Sequence, residues 1–152
     1  MAQLVTVEPA LLDNQDQVIG ESQLPARAFD SNCDALIIRS WPNPKEKLHM
    51  NYSGSNPVYL SPELTTKLRE AGIKHLMVDF PSVDREDDGG LLVAHKNYWD
   101  YPSNPRMDAT ITEMVYVPDH VADGLYLVNI QIASFETDAS PSKPTLYVPK
   151  PV

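Results

Sequence analysis

A mixed α/β fold is predicted by three neighbouring features of the chain. Ala35-Leu36-Ile37-Ile38-Arg39 is a short continuous apolar run, the mark of a strand buried on both faces. Ser61-Pro62-Glu63 is a helix start, with Ser at the N-cap, Pro at the first helical position and an acid in the first turn. Ile73 to Phe80 follows as a second buried strand. Strand, helix and strand in that order imply a crossover between parallel neighbours in one sheet.

The remaining elements follow along the chain. Leu4 to Val7 alternates weakly and carries β-branched residues, so it reads as a strand. Trp41 to Pro57 is a polar loop punctuated by Asn, Ser, Gly and Pro. In the helix that Ser61 opens, Leu64 and Leu68 share a face and Gly72 is placed to cap the end. Leu91 to Trp99 predicts a second, short helix. Thr110 to Val117 and Leu125 to Phe135 are strand-like, with a turn over Pro118–Gly124, and Thr145 to Val148 adds an edge strand. Residues 1–152 are expected to form a single domain.

Composition narrows the class. A chain of 152 residues can bury roughly two-thirds of its unfolded surface. No apolar run approaches the ~20 residues needed to cross a bilayer. The N-terminus lacks a basic region and a long apolar core, so it does not read as a secretory signal, and a cytoplasmic protein is expected. The single cysteine, Cys33, agrees, because it excludes an intrachain disulfide framework and a Cys-based zinc site. A net charge of −9 argues against nucleic acid and against an anionic membrane surface. A small-molecule ligand or another protein suits this field better.

The acidic loop Asp84-Arg85-Glu86-Asp87-Asp88-Gly89 begins like a calcium loop, but its twelfth position is His95 and no helix precedes it. A solvated acidic turn or helix N-terminus is the default reading there. None of the four histidines, His49, His75, His95 and His120, forms a His-x-x-x-His pair. Spacing alone makes each a surface or satisfied residue, and only the fold can bring His95 to Glu113. No Gly-x-Ser-x-Gly elbow, activated cysteine or Gly-rich phosphate loop is present. Trp41, Tyr98, Trp99 and Tyr101 are aromatic-pocket candidates, with core or loop anchoring as the simpler role.

Four segments carry a family resemblance. They are Asp79-Phe80-Pro81-Ser82-Val83-Asp84, Leu91-Leu92-Val93-Ala94-His95-Lys96, Ala109-Thr110-Ile111-Thr112-Glu113 and Asp138-Ala139-Ser140-Pro141. Together they resemble the C-terminal part of the cyclase family, metal-dependent hydrolases that include kynurenine formamidases. The resemblance implies a swivelling β/β/α cyclase-like fold with a mixed sheet, a divalent metal (zinc or manganese) and dimers or larger homo-oligomers. It also implies hydrolysis of amide, lactam or related carbon–nitrogen bonds outside peptides. It makes His95 and Glu113 metal ligands. Ser82 and Asp84, at a strand end beside them, become candidates for second-sphere or loop-fixing roles.

The family's His-x-Gly-Thr-His-x-Asp motif is absent from the sequence. The chain is therefore expected to be N-terminally truncated relative to the family, either as a shortened reading frame or as a natural short relative. Exposed strand surface and association follow from that expectation. Two functions stay open: a metal-dependent hydrolase inactive as the isolated chain, and an inert binding or assembly module that keeps the fold without the metal.

Overall fold

A computed structural model describes residues 1–149. In chain order the elements are β1 (Ala2–Val7), β2 (Ala10–Leu11), β3 (Gln17–Ile19), β4 (Ala35–Ser40), β5 (Tyr59–Leu60), α1 (Pro62–Glu70), β6 (His75–Val78), α2 (Val93–Trp99), β7 (Thr110–Thr112), β8 (Gly124–Asn129) and β9 (Thr145–Tyr147). The main sheet runs β7-β6-β4-β1-β8-β9, and β2-β3-β5 form a small second sheet. β1, β4, β6 and β7 are parallel to one another, while β8 and β9 add antiparallel pairings at one side.

Two cores flank the main sheet, which is why its central strands are buried along nearly their whole length instead of alternating. Val5, Leu36, Ile38, Leu76 and Val78 join Leu64 and Leu68 of α1, Ala94 and Tyr98 of α2, and Ile19 and Leu60 of the small sheet. On the other face Leu4, Ile37 and Met77 pack with Val117, Tyr126, Val128 and Leu146. The α1 start is as its residues dictate. Ser61 is extended, and its Oγ accepts the Leu64 N–H at 3.2 Å. After the helix, Gly72 takes φ +82°, a conformation that costs a glycine little.

Several boundaries depart from the sequence reading. The strand predicted over Thr110–Val117 ends at Thr112, because the backbone turns through a left-handed Met114 at φ +58°. The strand predicted over Leu125–Phe135 ends at Asn129; a tight turn in which Phe135 N–H donates to Ala133 O interrupts it farther on. The second helix begins at Val93, not Leu91. Asp88 holds the Gly90 and Leu92 N–H groups, and Leu92 is itself left-handed. Strands β2, β3 and β5, of two or three residues each, are too short to show a period, and they escaped the sequence reading. The loop from Trp41 to Pro57 also contains one 3-10 turn, Lys45–Leu48.

Removing the α1 cap by Ser61→Ala should lower the unfolding free energy by about 1 kcal/mol in urea titration, with the m-value unchanged.

Candidate functional site

Four parallel strands align their carboxyl ends along one edge of the sheet, where α/β folds place their ligands. Ser40 ends β4 at that edge, and the segments leaving it carry Asp79 to Asp84 after β6 and Glu113 directly after β7. His95 reaches the same place from the first turn of α2.

Asp84 organises this corner. Its Oδ1 accepts the Ala94 N–H at 2.6 Å and its Oδ2 the His95 N–H at 3.3 Å, so it satisfies the free amides that open α2. The same Oδ2 lies 2.5 Å from His95 Nδ1. The loop is tightened from behind, because the Asp84 N–H donates to Ser82 Oγ at 3.1 Å. Glu113 is held independently: its Oε1 accepts the Val83 N–H at 3.0 Å. Trp99 closes the other side, with its ring centroid 5.3 Å from that of His95.

This pattern assigns the tautomer. A carboxylate only accepts, so Nδ1 carries the proton and the neutral ring presents the Nε2 lone pair. That lone pair faces Glu113 Oε1 at 3.5 Å, too long for a good hydrogen bond. Two electron-rich atoms sharing one space call for a proton or a cation between them. Burial pulls the imidazole pKa down, but the nearby Glu113 carboxylate and the hydrogen bond to Asp84 outweigh it and hold His95 above its ordinary 6.5.

The pair also fits an ion. Ligand atoms about 2.1 Å from one tetrahedral ion stand roughly 3.4 Å apart, close to the separation found. A hydrolytic zinc normally has three protein ligands, however, and no group of three or more His, Cys, Asp or Glu side chains that could hold a metal occurs among the described residues.

The other candidates disperse. Glu86 accepts the Gly54 and Asn56 N–H groups, Asp88 caps its own loop, and Arg85 pairs with Asp16 at 2.7 Å. With its acids committed in these ways, the loop does not converge on a calcium ion. His75 meets Thr110 Oγ1, and His49 and His120 are exposed. Burial pushes the Cys33 thiol up. Tyr98 lies in the core and Tyr101 at the surface. Trp41 lines a separate cleft of about 210 Å³.

Sequence reasoning missed two features. One is the ion pair between Lys47 and the fully buried Asp79 carboxylate, 2.9 Å apart at the floor of that cleft. An acid ending an apolar strand run was its only trace. The other is a larger cavity of about 610 Å³ beside the site, with Glu113 in its wall and Ile37 and Met77 beneath it.

No protein-family model and no curated protein matches the chain. Its fold is shared with two solved structures. One is "The Structure Of Potential Metal-Dependent Hydrolase With Cyclase Activity", with a TM-score of 0.68 and 16% identity over 99% of this chain and 65% of that one. The other is "The structure of predicted metal-dependent hydrolase from Bacillus stearothermophilus", with a TM-score of 0.67 and 16% identity over 95% of this chain and 62% of that one. The chain thus spans less than two thirds of either. The fold is the cyclase-like α/β arrangement expected from the sequence.

Asp84→Ala should cost about 2–4 kcal/mol in urea unfolding, because it strands the buried amides of Ala94 and His95. Stability should also depend on pH through His95 in the metal-stripped chain. A folded pKa raised above the unfolded value contributes stability that is complete below pH 6.5 and is lost as pH rises through the folded pKa. The difference in unfolding free energy between wild type and His95→Gln should shrink over that interval. A difference that grows with pH would contradict the geometry.

Proposed function

We propose that His95 and Glu113 are two ligands of a divalent-metal centre, zinc or manganese, in a cyclase-like hydrolase acting on amide or lactam carbon–nitrogen bonds outside peptides. One observation carries the reading: His95 Nε2 is turned toward Glu113 Oε1 at 3.5 Å, while Asp84 holds the opposite ring nitrogen. A bound divalent ion would supply a coordinated water of lowered pKa and would polarise the scissile carbonyl.

The chain's own residues do the rest. Asp84 keeps the imidazole in the tautomer whose Nε2 can ligate and restrains the ring from rotating. The Val83 N–H fixes Glu113 Oε1, the oxygen that faces His95 Nε2, and so holds the carboxylate in position for a shared ion. Ile37 and Met77 give the adjoining cavity an apolar floor, which limits competing water. The remaining metal donors come from outside the described residues, so the isolated chain binds metal weakly and is inactive on this account.

A second reading, an inert binding or assembly module, is favoured by a different observation. Leu125 and Leu127 of β8 and Tyr147 of β9 are about half exposed, beyond the reach of α1 and α2. Such a strip suits a homo-oligomer. On that reading the surface, not the His95 corner, is the working part.

Calorimetric titration of the metal-stripped chain with zinc and with manganese separates the two readings. The hydrolase reading predicts one site, lost in His95→Ala and in Glu113→Ala and weakened about 10–100-fold in Asp84→Asn. No binding, with dimers that dissociate on Leu127→Glu in sedimentation, would favour the assembly module.

A further inference from the structure

The cavity of about 610 Å³ beside Glu113 has a division of character that points to a ligand class. Ile37 and Met77, almost wholly buried, form its floor, and Val115 and Leu146 stand in its walls. Its volume lies in the usual range for small-molecule sites. Among the described residues, its only charged lining residues are Glu113 and Lys143.

Lys45, Lys67, Lys96, Arg106 and Lys143 are the described cations without an ion pair, and of these Lys143 is the one in the cavity wall. Arg27, Arg39, Lys47, Arg69, Lys74 and Arg85 each hold an aspartate. In a protein of net charge −9, Lys143 nevertheless makes no ion pair among the described residues. Beside it in the chain, and also in the cavity wall, the Ser142 Oγ is buried with no hydrogen-bond partner among the described residues. A buried hydroxyl left unpaired is costly, so this one is suited to a ligand. An ammonium and a hydroxyl together donate to a carboxylate.

We propose that this cavity takes small ligands with an apolar body and a carboxylate, and that Lys143, assisted by Ser142, is the specificity-determining cation. The inference rests on the hydrolase reading only in so far as the ligand is a substrate: its carboxylate lies on Lys143 and its amide toward Glu113. Because the field of the whole chain repels anions, the preference is local and salt-sensitive.

The test compares two probes of one shape, 4-acetamidobenzoate and acetanilide, by calorimetry on the full chain. Wild type should bind the carboxylate at least about tenfold more tightly. Lys143→Gln should bring the two probes to parity, Lys143→Arg should keep the preference, and added salt should shrink it. Equal affinities in wild type, a preference that survives in Lys143→Gln, or failure of both probes to bind would overturn the assignment. Zinc binding by the metal-stripped chain, with His95→Ala as control, is read separately. Preference without a zinc site leaves the ligand assignment standing and counts against the hydrolase reading; a zinc site without preference does the reverse.

Discussion

The Asp84 carboxylate is the constraint on which the site depends. It is almost completely buried, and it meets that condition by serving three donors at once: two backbone amides of α2 and the His95 imidazole. A carboxylate in a dry corner is costly unless its lone pairs are filled. Here the filling also places α2 against the strand end. The same bonds that permit the burial select the imidazole tautomer and aim Nε2, so helix position and site chemistry share one cause.

The sheet brings the second half of the pair. Glu113 comes directly after β7, which pairs in parallel with β6, and Asp84 belongs to the loop that leaves β6. Parallel register brings these two exits side by side although 29 positions separate them in sequence. The left-handed turn at Met114 ends the strand there and leaves Glu113 at the sheet's edge. Farther along the same chain, Pro144 to Leu146 return to wall the cavity that Glu113 opens into, which puts Ser142 and Lys143 near the same corner.

Much of the fold was legible because its strongest signals are local. The apolar run 35–39 had no choice but to be a central strand, and Ser61-Pro62-Glu63 carried its helix start in three residues. What was lost has physical reasons. Strands of two or three residues carry no period, and the early ends at Thr112 and Asn129 arise from backbone turns that β-rich composition conceals. His95 and Glu113 became candidates through family resemblance. Spacing could not join them, because their meeting is a product of parallel pairing and one helix entry. Lys47 with Asp79 left one faint trace, an acid ending an apolar strand run, since each is an ordinary charged residue until the fold buries the pair.

The central claim is that Asp84 holds the proton on His95 Nδ1 and leaves Nε2 open toward Glu113. Long-range ¹⁵N–¹H correlation of the metal-free chain, at a pH where His95 is neutral, reads the tautomer directly. The account predicts a protonated Nδ1 and a bare Nε2, reversed or mixed in Asp84→Asn. A neutral His95 carrying its proton on Nε2 in the wild-type chain would contradict it.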